Sequence, residues 1–352
     1  MLCQRFAMQT AGGLIFCTVM SYSAIGLGDD EEPKSPLGLP PVYYPDDNLY
    51  SKARALLGEL LYFDKRLSSD GTVSCATCHS VQHGFTDGAA VSTGISGQKG
   101  GRSAPTVINR AYSTAQFWDG RAPSLEAQAV GPIANPIEMT SEKDPGRAHQ
   151  TCVERLRRVP EYNSRFAEAY GVDEFTIEHV GKAIATFERT VLSGNSPFDR
   201  YKSDVKNAMS DSAVRGMNIF FKKTACDSCH LGFNFTDGSY VNIGIGMDKP
   251  LPDLGRYLVS KREEDKGAFK TPTLREIEHT GPYMHDGRFK TLEEVIEHYD
   301  KGGIPNAYLD ERLKPLKLRS QEKVDLVEFL KSLSGEGWQM KVPTKFPPSK
   351  ND

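Results

Sequence analysis

Apolar residues return every three or four positions in several stretches of the chain, the spacing that gathers them on one face of a helix. In residues 49–63 the series is Ala53, Leu56, Leu57, Leu60 and Leu61. Residues 148–170 and 176–192 predict two further helices, the second with Thr176 as its N-cap, and 211–221 predict another. Near the end, Val324, Leu326, Val327, Leu330 and Leu333 share one side of a helix over 321–333, which must pack on something. No stretch reads as β-rich, so the expected architecture is mainly α. Polar intervals divide it. Residues 29–48 are acidic and Pro-rich with no apolar period, predicting a flexible leader, and 86–106 form a Gly-, Ser- and Thr-rich loop. A turn cluster at 193–197 predicts a boundary between domains at 49–195 and 196–352. The 321–333 helix is a candidate to pack back on the first of them.

The first thirty residues differ from the rest. Arg5 is the only charge before Asp29, residues 12–20 are mostly apolar, and small residues follow. That layout predicts a cleaved signal peptide over 1–28 and a periplasmic mature protein; a retained membrane anchor is the alternative. At 352 residues the chain has room for about two domains. A formal charge of −3 gives no basic footprint, so nucleic acid is not an expected partner.

The candidate chemistry lies in Cys75-Ala76-Thr77-Cys78-His79. Two cysteines three apart with a histidine directly after them fit covalent attachment of a c-type haem. The thiols reach the two vinyl groups of one porphyrin, and the adjacent imidazole becomes the proximal iron ligand. One such pentapeptide could also be a redox dithiol or half a zinc site. Cys226-Asp227-Ser228-Cys229-His230 repeats it, and the pair predicts two covalently bound haem c groups. Cys3 and Cys17 fall in the predicted signal, leaving only Cys152, which reads as a small buried apolar residue.

The surroundings of the two pentapeptides also repeat. Gly84-Phe85-Thr86-Asp87-Gly88 recurs as Asn234-Phe235-Thr236-Asp237-Gly238, and Ala104-Pro105-Thr106-Val107 as Thr271-Pro272-Thr273-Leu274. Phe117-Trp118-Asp119-Gly120-Arg121 recurs as Met284-His285-Asp286-Gly287-Arg288, each followed by a helix capped by Ser124 or Thr291. The expected fold is therefore two cytochrome c-like haem domains related by an internal repeat.

Function depends on the sixth position of each iron. A haem with two strong protein ligands transfers electrons, whereas one with an open face activates peroxide or oxygen. Carrying the repeat forward without gaps, Tyr299 falls opposite Pro132, which has no side-chain donor. Tyr299 could thus cap the second iron while the first stays open; Met284 and His298 compete for that place. On the first side, Gln128 and Glu138 follow the Trp118 turn. A carboxylate there could move a proton between the oxygens of bound peroxide, although alone Glu138 would read as a solvated loop residue.

At these residues the chain resembles the bacterial di-haem cytochrome c peroxidase superfamily over essentially its whole mature length. The resemblance implies a peroxidatic haem in the N-terminal half and an electron-transfer haem in the C-terminal half. It implies that Trp118 lies between them, that Gln128 and Glu138 line the peroxide pocket, and that hydrogen peroxide is the substrate. It also implies a calcium ion held by carbonyls of Thr280 and Pro282, with Ser103 where an asparagine is usual. Two departures stand out. Ile95 occupies the position of the histidine that blocks the peroxidatic iron in standard peroxidases, and His83 is a poor substitute. Tyr299, in a His-Tyr-Asp-Lys-Gly-Gly context, replaces methionine and looks like the MauG-type branch, which oxidises a protein substrate through a bis-ferryl state. An anionic phenolate favours ferric and higher states, where methionine favours ferrous iron.

The expected function is a periplasmic di-haem peroxidase active from its diferric state. The alternatives are a MauG-like oxidase of a partner protein, a pure electron-transfer cytochrome and, last, a haem sensor. The donor stays open between a small cytochrome, a cupredoxin and a protein substrate, and dimeric relatives leave room for a homodimer.

Overall fold

The computed structural model describes residues 31–348, so the predicted signal segment lies outside the described residues. Eight helices carry the architecture: α1 (Lys52–Phe63), α2 (Leu125–Val130), α3 (Pro145–Arg157), α4 (Pro160–Tyr170), α5 (Ile177–Glu188), α6 (Asp211–Lys222), α7 (Leu292–Asp300) and α8 (Ser320–Lys331). The fold is mainly helical; the named strands among the described residues are a two-residue pair, Tyr240–Val241 against Phe269–Lys270. Local chemistry starts the helices where the sequence placed them. Ser51 Oγ accepts from Arg54 N at 3.2 Å, Ser124 Oγ from Ala127 N at 3.2 Å and Thr291 Oγ1 from Glu294 N at 3.3 Å.

Two of the expected elements come out differently. The 148–170 helix is really two, because Pro160 has no N–H to donate and its ring forbids the preceding helical turn; α3 ends at Arg157 and Pro160 opens α4. The leader over 29–48 is packed along its described part rather than free. Val42 and Tyr44 are buried with Leu192, and Asn48 donates to Glu126 Oε1 at 2.9 Å and to Lys182 O at 3.0 Å. Two apolar side chains and one buried amide suffice to anchor a segment whose prolines already restrict its backbone.

Two apolar cores form. The first gathers Leu57, Leu61, Phe85, Ile108, Phe166, Ile184 and their neighbours; the second gathers Phe220, Phe235, Leu292, Ile296, Phe329 and theirs. Helix α1 crosses α5 in the first, and α6 crosses α8 in the second. Both crossings are made at a glycine. A Cβ at Gly58 would lie 1.9 Å from Ala183 O, and one at Gly216 would lie 1.9 Å from Asp325 O. The final helix therefore lies on the second core, and the tail beyond it, through Trp338 and Met340, reaches the first.

The same small contacts recur around the two pentapeptides. His79 N donates to Cys75 O at 2.9 Å and His230 N to Cys226 O at 3.0 Å. Thr106 Oγ1 donates to Gly84 O at 2.6 Å, and Thr273 Oγ1 to Asn234 O at 2.7 Å. Phe117 and Met284 both take left-handed backbone angles, with φ of 66° and 73°.

Candidate functional site

Each pentapeptide turns tightly, and each histidine is fixed by a backbone carbonyl. His79 Nδ1 lies 3.3 Å from Phe85 O, and His230 Nδ1 lies 3.0 Å from Phe235 O. A carbonyl only accepts, so Nδ1 carries the proton and Nε2 keeps its lone pair, the arrangement of a metal-ligating imidazole with its outer partner. Burial pushes the pKa of both imidazoles down, keeping them in the neutral form that binds iron.

No disulfide joins the four pentapeptide cysteines. Burial raises all four, Cys78 to about 11, whereas a redox dithiol needs at least one thiol pushed down. Nor do the described residues hold a group of three His, Cys, Asp or Glu side chains that could bind a metal ion, as structural zinc would need. Paired unactivated thiols beside one neutral, oriented imidazole fit a c-type haem at each turn.

Two cavities open beside these turns. The first is lined by Cys78, His79, Phe117, Gln128, Pro132 and Glu138, and the second by Cys226, Cys229, His230, Met284, Ile296 and Tyr299. Trp118 lines both. Its Nε1 donates to Ser103 O at 2.9 Å, and its carbonyl accepts from Lys270 N at 2.8 Å, so the indole is pinned in the wall the cavities share.

In the first cavity Glu138 is half-buried, and desolvation raises its pKa against the opposing pull of Arg121 and of a hydrogen bond from Asn135. Asn135 Nδ2 holds Glu138 Oε1 at 2.5 Å. Pro132 and Gln128 lie on the same wall. Ile95 does not; it is buried in the first core, its N–H bonded to Glu138 O at 3.0 Å, and Gly94 lines the cavity in its stead. His83 is exposed.

In the second cavity the three candidate ligands separate. Tyr299 and Met284 line it, and burial raises the Tyr299 phenol. His298 is not on the lining; its ring packs between Phe289 and Tyr299 with Nε2 buried and unpartnered. Ser103, Thr280 and Pro282 also line this cavity, with Ser103 N donating to His285 O at 2.7 Å. Cys152 is buried in the first core, its thiol pushed up to about 11 by that burial.

Sequence reasoning missed three charged residues on these walls. Arg110 lines both cavities, Glu188 the first and Lys270 the second, and all three are buried. Glu188 and Lys270 sit next to apolar Phe187 and Phe269 with no motif around them, so no signal in the chain singled them out.

These features define a class, and comparison with known proteins agrees. Residues 52–207 match the family described as di-haem cytochrome c peroxidase. The chain is 39% identical over 348 residues to the methylamine utilization protein MauG of Methylorubrum extorquens, covering 96% of each chain. It is 39% identical over 300 residues to the cytochrome c551 peroxidase of Nitrosomonas europaea, covering 85% of this chain and 84% of that one. Among solved structures, a MauG-like protein associated with microbial copper homeostasis superposes with a TM-score of 0.80 at 32% identity, covering 87% of this chain and 96% of that one. The chain belongs to the di-haem cytochrome c peroxidase family, and it is an oxidoreductase of the cytochrome c peroxidase type.

Proposed function

We propose that the chain is a periplasmic di-haem peroxidase that reduces hydrogen peroxide to water at the first cavity and exchanges electrons through the second. One haem would be held by Cys75, Cys78 and His79, the other by Cys226, Cys229 and His230 with Tyr299 on the far side. The observation that carries the reading is the inequality of the cavities. Among the described residues, the lining of the first cavity, with Pro132, Gln128 and Glu138, holds no methionine, no tyrosine and no histidine besides His79, and Tyr299 lines the second. When bound, haem supplies an iron whose open position takes peroxide. The protein's part is proton handling. Glu138 Oε1 is occupied by Asn135, so Oε2 is the atom that would take a proton from peroxide in this cavity and return it as the O–O bond breaks, the haem supplying the electrons for that cleavage. Gln128 can orient the peroxide, and Trp118 fills the wall between the two groups.

The matched contacts at both turns and both glycine crossings support reading 49–195 and 196–352 as repeated haem domains. Ser103, Thr280 and Pro282 are the proposed calcium position; dialysis against a chelator should remove about one equivalent of calcium per chain from it. A second reading, oxidation of a partner protein, is favoured by Tyr299 on the second cavity and by the MauG relative. Rapid mixing of the diferric holoprotein with peroxide tests the proposal. A spectral change before any reductant is added is expected, and none would contradict it. Steady turnover with a small cytochrome or cupredoxin selects the peroxidase; an oxidised partner protein selects the second reading.

A further inference from the structure

A haem fixed by two thioethers and an imidazole still carries two free propionates, and a buried carboxylate needs a donor. On the haem reading proposed above, side chains of this chain must meet them. Arg110 is 9% exposed and Lys270 is 6% exposed. Arg110 lines both cavities and Lys270 the second. The guanidinium donates Nε and Nη2 to one neutral acceptor, Gln116 Oε1, at 2.9 and 2.6 Å, and Nη2 also reaches Ala115 O at 3.3 Å.

Among the described residues no carboxylate lies within ion-pair distance of Arg110 or Lys270. Other buried arginines are paired: Arg275 with Asp199 at 2.8 Å, and Arg189 with Glu126 at 2.7 Å. Arg102, on the first cavity's wall, meets Asp119 at 2.7 Å and Asp253 at 2.6 Å. Burial pulls Arg110 down to about 10; burial, then repulsion from Arg110, pulls Lys270 down to about 6. Glu188 faces the first cavity and attracts Arg110, but burial lifts its carboxyl to about 8, which weakens it as a counter-charge, and it makes no ion-pair contact with the guanidinium. Charging two buried basic groups with no carboxylate in ion-pair contact is costly unless something else brings an anion.

We propose that Arg110 and Lys270 are haem-propionate ligands in the wall between the cavities, with Arg110 shared by both haems and Lys270 serving the second alone. A guanidinium suits the shared place: with Nε and Nη2 engaged by Gln116 and Ala115, the two N–H groups of Nη1 remain to be divided between two acceptors. Both are positioning residues. A fixed positive charge beside a propionate favours the reduced haem, so Arg110 ties the potentials of the two haems to one side chain. Lys270 N also donates to Trp118 O at 2.8 Å, which sets this clamp beside the intervening indole.

The test uses holoprotein carrying Lys270→Met, Arg110→Gln or Arg110→Lys. Pyridine haemochrome counts the haems, spectroelectrochemical titration gives both midpoints, and resonance Raman reads the propionate bending bands. Lys270→Met should move the second haem's midpoint to lower potential and leave the first in place. Arg110→Gln should lower both, and Arg110→Lys, which keeps the charge, should hold both nearer the wild-type values. Propionate bands should shift in all three variants, including Arg110→Lys, which keeps the charge but loses the fork. Two retained haems with unmoved midpoints and bands in Lys270→Met and Arg110→Gln would overturn the assignment. A shift at one haem alone in Arg110→Gln would overturn the sharing. If Arg110→Gln does not accumulate, Arg110→Lys decides through its propionate bands, since lysine lacks the fork; unchanged bands count against the proposal. Wild-type protein with fewer than two haems would overturn the haem reading itself, and this clamp with it.

Discussion

Glu138 has one oxygen held and one free, and its carboxyl titrates above the usual glutamate range because burial outweighs the pull of Arg121. A base must be deprotonated to accept, so the peroxide reaction should slow as pH falls through this raised pKa, starting at a higher pH than an exposed glutamate would give. Glu138→Gln should lose that acid limb, with kcat/KM for peroxide falling on the order of 10²–10⁴-fold at unchanged haem content. A stopped-flow pH series on both proteins checks both statements. The residues that carry motifs stood out in the chain, and the structure sets Cys78, His79, Pro132 and Glu138 on one cavity and Cys226, Cys229, His230 and Tyr299 on the other. Arg110, Glu188 and Lys270 did not stand out, because their significance lies in burial and in which cavity they face, neither of which has a sequence signature.

At the scale of elements, the helix crossings depend on absent side chains. Gly58 and Gly216 let α1 meet α5 and α6 meet α8 with backbone carbonyls where a Cβ would stand. Gly216→Ala should cost about 1–3 kcal/mol through overpacking, read as a lower melting temperature with both haems still attached. Gly58→Ala should do the same in the first core. The helix pattern was readable because amphipathic spacing survives without tertiary knowledge, and α5, α6 and α8 lie close to their expected limits. Its failures have separate causes. The 148–170 pattern continued through Pro160, so periodicity outvoted a residue that cannot continue a helix. The leader was judged by its prolines and acids, while Val42, Tyr44 and Asn48 found partners on distant segments.

At the scale of the whole molecule, two similar pentapeptide turns are made unlike by the side chains on their cavities. Similar carbonyls fix the two histidines, and Trp118 stands in the wall between. On the proposed reading the asymmetry comes from Pro132 on the first cavity and Tyr299 on the second. It follows that one ferric haem should be high-spin with an open face, and that removing the tyrosine should alter only the other. EPR of the diferric wild type beside Tyr299→Phe tests this most directly. The account predicts that the low-spin signal changes or disappears in the variant while the high-spin signal of the His79 haem persists. An unchanged low-spin signal in Tyr299→Phe would contradict it.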